Sequence, residues 1–203
     1  MPAIGITGGI SSGKSTFCDC LDQLVGGKFF NADRVARELV DLDSQVREEL
    51  FREFGPKIYG DDGSLNREKL RAIVFENAAK KRALEQILHP RIRRQWSAEA
   101  EAHRNSPQFF FADIPLLYET QGEKLCDRVV VVACSPGIQL ERLLQRGAVD
   151  KAAAEQIIQS QMPLNEKVER ADHVVWNNGG RDVLEGQART LVELWQQTQW
   201  TKM

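Results

Sequence analysis

The chain is poor in the residues and runs that mark secreted, membrane-spanning or nucleic-acid-coating proteins. It has 4 cysteines and 3 histidines among 203 residues. Cys18 and Cys20 stand two apart in a segment of helical spacing, so their side chains diverge, and Cys126 and Cys134 lie far away. No second Cys or His pair stands at zinc spacing, so the expectation is reduced thiols packed as small apolar groups. No apolar run approaches the roughly 20 residues that span a bilayer. The first residues, MPAIGITGGI, lack the basic and long apolar regions of a signal peptide, and the expected location is the cytoplasm. An excess of one charge is missing too. Lys and Arg number 27, Asp and Glu 29, for a formal net charge of -2. No global field therefore draws the chain to nucleic acid or to an anionic membrane. An anionic ligand must be held by a local cluster of donors. Internal repeats and low-complexity linkers are absent as well.

What is present alternates. Hydrophobic residues make up 42% of the chain, enough for a buried core. The length fits one α/β core with inserted helices as well as two small domains. Ala3 to Thr7 is a short apolar run ending in glycines, which predicts a buried strand. A helix is predicted from Lys14 to about Val25, a short strand over Lys28 to Asn31, and helices over Arg34 to Val40 and Ser44 to Phe54. The turn cluster Tyr59 to Gly63 interrupts the pattern. From Asn66 to Asn105 the chain is helical and charged, with one predicted break at His89-Pro90, where Pro90 starts a new helix. Phe109 to Ala112, ending at Asp113, and Arg128 to Cys134 are continuous apolar runs, as expected of parallel strands covered on both faces. Helices are predicted over Ile138 to Arg146, Lys151 to Gln161 and Val168 to Ala171. His173 to Trp176 is the last strand, and a helix from about Val183 to Gln197 follows. Such alternation predicts a three-layer sheet with right-handed crossovers.

Between the first strand and first helix stands GGISSGKS, Gly8 to Ser15, which fits G-x-x-x-x-G-K-[ST]. A triphosphate is a dense negative charge that must be gripped without collision. Glycines let the backbone turn its N–H groups inward, and the helix start adds its positive end. Backbone from Gly9, Ile10, Ser11, Ser12 and Gly13 would cradle the phosphates. Lys14 would reach the β- and γ-phosphates, Ser15 would ligate Mg²⁺, and Thr16 would donate to the α-phosphate.

Three further groups have two readings each. Asp113 ends a strand, where parallel sheets place ligands, and either holds Mg²⁺ or caps a helix at Ile114-Pro115. Asp33 follows the second strand and either accepts a proton from an attacking hydroxyl or caps the helix Arg34 to Val40. Arg142 and Arg146 stand four apart on one helix face and either close over a triphosphate or pair with Glu141 or another acid. A guanine-reading Asn-Lys-x-Asp motif is absent. Asp113 is followed by Ile114 rather than by a second acid, which disfavours a water-activating ATPase.

Read in order, several segments resemble the dephospho-coenzyme A kinase family along nearly the whole chain. They are ITGGISSGKST at the N-terminus, NADRVAR from Asn31 to Arg37, His89-Pro90, and the run from Asp113 to Glu119. Ser135-Pro136 with Gln139-Leu140, Gln145-Arg146, Gln161-Met162-Pro163, Lys167, Ala171-Asp172 and Asn177-Asn178-Gly179 follow. The Pro115 to Glu119 run and the C-terminal set are the most specific. Two positions depart from the family pattern: Ser11 stands where Gly is usual, and Asn31 replaces the first acid of Asp-Ala-Asp, the second being kept as Asp33.

The resemblance implies an α/β P-loop kinase fold with a five-stranded parallel sheet, a helical lid and a helical substrate-binding insertion. It maps onto one domain over 1–203, with core about 1–60, 106–141 and 163–203, insertion about 61–105 and lid about 142–162. The implied reaction moves the γ-phosphoryl of ATP, with Mg²⁺, to the ribose 3′-hydroxyl of dephospho-coenzyme A. Lys14, Asp33 as base and Arg142 would act on the reacting groups, and Ser15 and Asp113 on the metal. Arg146, Asn177 and Asn178 would help hold ATP. Arg37, His89, Pro115, Leu116, Leu117, Tyr118 and Glu119 would shape the acceptor site with Asp33. A small molecule is the expected partner, with no nucleic acid or membrane, for a monomer or weak homo-oligomer.

Overall fold

The computed structural model describes residues 2–147, 150–198 and 200. In chain order the elements are β1 (Ala3–Gly8), α1 (Lys14–Val25), β2 (Lys28–Asn31), α2 (Ala32–Leu42), α3 (Ser44–Phe54), α4 (Arg67–Glu76), α5 (Ala78–His103) and β3 (Phe110–Asp113). They continue with β4 (Arg128–Ala133), α6 (Pro136–Gln145), α7 (Lys151–Gln159), α8 (Leu164–Glu169), β5 (His173–Trp176) and α9 (Arg181–Gln197). The strands form one sheet in the order β2-β3-β1-β4-β5. The pairs β1–β3, β1–β4 and β4–β5 run parallel. Successive side chains of a strand point to opposite faces. Val129, Val130, Val131 and Val132 are all buried, so β4 is covered on both sides, as its unbroken apolar run predicts.

The chain divides into two compact units, residues 1–30 with 99–203, and residues 31–98. The first holds the sheet. Its main core joins Ile4 and Ile6 of β1, Phe17 and Leu21 of α1, Phe111, Val130 and Val132, Val175, and Leu184, Ala188 and Trp195 of α9. Because the strand order turns back at β1, the crevice at the carboxyl ends of β1, β3 and β4 is the place where such sheets hold ligands.

The second unit is helical and has its own core: Val40, Val46, Leu50, Phe54, Ile58, Leu70 and Leu88. It begins at Asn31, so α2 and α3, expected with the sheet core, cluster with the helices expected in the insertion. Apolar stripes on α2 and α3 supply four of those seven core residues, which is the physical reason for the grouping. The predicted break at His89-Pro90 is corrected. Pro90 lies inside α5, and the break falls at Asn77 instead. The Asn77 side chain accepts from the N–H groups of Ala79 and Lys80, and its own N–H closes α4 on the Ile73 carbonyl. A proline in a helix interior costs about 3 kcal/mol. Side-chain contacts next to it counter that cost. Arg91 Nη1 donates to the Ile87 carbonyl at 2.7 Å, and the same guanidinium pairs with Glu49 of α3 at 2.7 Å.

All four cysteines are free. Burial pushes every thiol up, that of Cys126 to about 12, so these are inert packing groups. Among the described residues no helix is long and apolar enough to cross a membrane.

Candidate active site

The turn from β1 into α1 is built around close backbone approach. A Cβ on Gly8 would lie 2.3 Å from the Val132 carbonyl oxygen of the neighbouring strand, so no larger residue fits. Gly13 precedes α1 in a left-handed conformation with φ +91°, and no side chain caps the helix there. The first amides of α1 are thereby left for an anion. Lys14, the first residue of α1, pairs with Asp113 at the end of β3; the two side chains are 12% and 5% exposed. Ser15 is exposed beside it. No helix starts at Ile114-Pro115; the chain makes turns until Gly122. The capping alternative for Asp113 is therefore set aside in favour of its pairing with Lys14. Ser11 adopts φ +57°, a left-handed geometry that favours glycine. This explains why glycine is usual at that position. The hydroxyls of Ser11 and Ser12 are buried without a protein partner.

Three side-chain carboxamides hold the loop in shape. Gln139 Nε2 donates to the Ile10 carbonyl at 2.9 Å, and the Ile10 N–H donates to Gln161 Oε1 at 3.0 Å. Asn177 Nδ2 donates to the Ser12 carbonyl at 2.9 Å. The peptide groups of Ile10 are thus pinned on both sides. Sequence reading marked Gln139 and Gln161 only as landmarks and gave them no role. It expected Asn177 to help hold the nucleotide, and the Asn177 side chain also braces the loop. Asn178 acts likewise, accepting from the Ser135 N–H at 2.8 Å and so tying the end of β5 to the end of β4.

A cavity of about 420 Å³ opens beside the loop, lined by Ser11, Gly13, Thr16, Arg142, Gln145, Arg146, Asn177, Gly179, Arg181 and Leu184. Its volume suits a small organic ligand. Arg142 and Arg146 both reach it. The alternative of an ion pair with Glu141 is not what forms, since Glu141 accepts from Gln145 at 3.0 Å. Among the described residues neither arginine has an acidic partner, and Arg142 Nη1 is buried without any. A buried unpaired guanidinium nitrogen facing an uncapped helix start is the donor set that phosphate oxygens require.

Asp33, Arg37 and His89 belong to the helical unit. The cap of α2 is Asn31, whose Oδ1 accepts from the Arg34 N–H at 2.8 Å. Asp33 is therefore not the cap. It lies inside the first turn, exposed, with its carboxylate at the positive end of the helix. Arg37 is also exposed and shares a face with Asp33, four residues on. His89 is half-buried, and burial pushes its imidazole below the usual range against the opposing pull of Glu85, so it is neutral at pH 7.

The Pro115–Glu119 run divides in two. Pro115 and Leu116 are half-buried, while Leu117 and Tyr118 are interior. The Arg170 guanidinium lies 4.2 Å from the Tyr118 ring centre, and burial pushes the phenol up to about 12. Glu119 Oε1 meets the fully buried Lys167 ammonium at 2.9 Å and accepts from the Met162 N–H at 3.0 Å. Residues 148 and 149 of the expected lid, about 142–162, lie outside the described residues. The remainder comprises the end of α6, α7 capped by Asp150, and the turn into α8.

Comparison with known proteins shows the family. The family model for dephospho-CoA kinase matches residues 2–182. A dephospho-CoA kinase of Bacillus cereus is 39% identical over 193 residues, covering 95% of this chain and 96% of that protein. The crystal structure of TT1252 from Thermus thermophilus superposes with a TM-score of 0.76 at 31% identity, over 95% of this chain and 97% of that one. Dephospho-CoA kinase from Campylobacter jejuni gives 0.71 at 28%, over 94% and 95%.

Proposed function

The chain belongs to the dephospho-CoA kinase family, which uses ATP to phosphorylate dephospho-coenzyme A in the final step of coenzyme A synthesis, and from that premise we propose how its residues divide the work. The phosphates lie on the amides of the loop from Gly9 to Thr16. Lys14, released from Asp113, contacts the transferring group, and Arg142 and Arg146 neutralise charge that spreads over its oxygens. The protein mainly positions and neutralises, because the transition state is loose. The Ser15 hydroxyl and Asp113 carboxylate are hard oxygen donors suited to Mg²⁺, which when bound shields the phosphate charge. Among the described residues no cluster of three or more His, Cys, Asp or Glu forms a metal cage.

Asp33 accepts the proton of the ribose 3′-hydroxyl. The 3′-oxygen bonds to the γ-phosphorus, the bond to the β–γ bridging oxygen breaks, and ADP leaves. Arg37 and His89 serve the acceptor, with Pro115 and Leu116. Gly179 and Asn177 border the nucleoside end of ATP. Segment 142–162 acts as a lid that keeps water from the transferring group. The acceptor is a small molecule, with nucleic acid and membrane playing no part, and the enzyme works in the cytoplasm as a monomer or weak homo-oligomer.

One observation carries this reading: an uncapped helix start, with Lys14 as its first residue, adjoins a cavity lined by a buried arginine that has no acidic partner among the described residues. Coupled ADP release tests it. Turnover is expected with dephospho-coenzyme A and not with AMP as acceptor. Asp33→Asn should bind ATP as the parent does while losing at least ~100-fold in turnover. A fully active Asp33→Asn would remove the assignment of the base.

A further inference from the structure

We propose that Glu119 and Lys167 are positioning residues for ATP, acting on the phosphate loop through Gln161, rather than contacts for the acceptor. The inference deepens the functional reading above and rests on its placement of ATP at Gly9–Thr16.

Lys167 is a charged side chain with no exposure at all. A buried ammonium is costly unless it is paired and hydrogen-bonded, and Lys167 has two partners. Nζ lies 2.9 Å from Glu119 Oε1 and donates to the Pro115 carbonyl at 2.9 Å. Each partner leads to the phosphate loop. The Pro115 carbonyl also accepts from Thr7 Oγ1 at 3.0 Å, one residue before Gly8. Glu119 Oε1 accepts the N–H of Met162 at 3.0 Å, and the adjoining Gln161 receives the Ile10 N–H at 3.0 Å. Two consecutive residues thus read both ends of the link. Lys167 fixes Glu119, Glu119 fixes the backbone of Met162, and Gln161 then fixes Ile10. With Gln139 holding the Ile10 carbonyl, the peptide groups flanking the cradle are set before any nucleotide arrives. Pre-organisation of this kind lowers the cost of binding. Glu119 has its charge committed to a buried cation and a backbone amide, which leaves it poorly placed to serve the acceptor. The link also ties the C-terminal root of the segment 142–162 to the loop.

The test uses the full-length enzyme and three variants: Gln161→Ala, the charge-neutral pair Glu119→Gln with Lys167→Met, and all three changes together. The neutral pair avoids stranding a buried charge, so it folds where Glu119→Gln alone need not. ATP affinity is read by calorimetry, KM for dephospho-coenzyme A by coupled ADP release, and folding by thermal melting. Loss of one hydrogen bond to the loop should weaken ATP binding about fivefold in Gln161→Ala and in the neutral pair. The triple variant should add less than twofold, because all the changes break one link. KM for dephospho-coenzyme A should stay within about twofold of the parent. A raised acceptor KM with unchanged ATP affinity overturns the proposal and makes Glu119 a substrate contact. A lowered melting temperature with both affinities unchanged overturns it in favour of a purely structural pair. Fully additive losses in ATP affinity overturn the link through Gln161. Calorimetry needs no acceptor. A parent enzyme that binds ATP yet does not phosphorylate dephospho-coenzyme A would therefore defeat the functional reading alone.

Discussion

Replacing Lys14 with alanine should do more than stop turnover; it should destabilise the ligand-free protein, by an amount that depends on pH. Lys14 and Asp113 are 12% and 5% exposed and face one another. Removing the ammonium leaves a carboxylate in a site from which water is nearly excluded. Breaking such a buried pair costs about 3–5 kcal/mol. A second limit applies. An aspartate deprived of this cation binds a proton once that becomes cheaper than staying charged. For an ordinary aspartate this sets a ceiling of about 4 kcal/mol at pH 7 and about 1.5 kcal/mol at pH 5. The expected penalty at pH 7 is therefore about 3–4 kcal/mol. For a chain of this size that lowers the melting temperature by roughly 6–16 °C. At pH 5 the difference from the parent should shrink to about half or less. Thermal melting followed by circular dichroism, without nucleotide, measures both differences. Adding Asp113→Asn to Lys14→Ala should restore most of the loss, since no charge is then stranded. A Lys14→Ala protein that melts within ~2 °C of the parent at pH 7 would show that the pair is not buried in solution. A penalty that does not shrink at pH 5 would refute the charge argument.

Two further outcomes follow from single positions. Ser11→Gly should stabilise the ligand-free enzyme, because Ser11 holds φ +57° at a cost of about 1 kcal/mol that glycine does not incur. The melting temperature should rise by roughly 2–4 °C, and no rise would show that the loop relaxes out of the left-handed region in solution. Burial lowers the folded-state value of His89, and of His173, below the ordinary 6.5. The native state then binds fewer protons than the unfolded chain just below that value. Their contribution to stability is present above pH 6.5 and is lost as pH falls. Urea midpoints should drop between pH 7.5 and pH 5, and His89→Gln should flatten that slope; equal slopes would count against the buried imidazole.

Elements set by local pattern were legible to the residue. The bounds of α1, β2, α3 and β5 in the structure are those that apolar spacing and glycine turns predict. The failures share a cause. Pro90 reads locally as a helix start, but Arg91 and its pairing with Glu49 lie 42 positions apart in sequence, so the support for a continuous helix is tertiary. Asn77 lacks the glutamate or glutamine three residues later that completes a capping box, and its turn went unmarked. Asp33 looked like a cap because the start of α2 was placed two residues late. Moving it to Ala32 hands the cap to Asn31 and releases Asp33. The phosphate loop was readable because its chemistry sits in eight consecutive residues. Its braces were not, since Gln139, Gln161 and Asn177 contact it across 129, 151 and 165 positions.

The two departures from the family pattern both fall on backbone roles, one at a helix cap and one in the turn of the loop. Asn31 holds the N-terminus of α2 through a side-chain oxygen, and asparagine caps a helix about as well as aspartate. The exchange removes one negative charge beside Asp33 without moving the helix. Ser11 strains the loop but supplies no charge. The groups that must attract phosphate are elsewhere: Lys14, Arg142, Arg146 and the start of α1. That answers how a chain of net charge -2 can hold a polyanion. At physiological salt, exposed charges more than about 8 Å apart are largely screened from one another. Distant acids on the surface therefore weigh little, and capture depends on cations within reach of the cavity. Arg142 and Arg146 have no acidic partner there among the described residues. Arg181, which also borders the cavity, pairs with Glu185, and Lys14 at the start of α1 pairs with Asp113, the carboxylate proposed for the metal. On the proposed roles, binding of the metal nucleotide exchanges the Lys14–Asp113 pair for contacts of each with the ligand and gives the buried Arg142 nitrogen its partner.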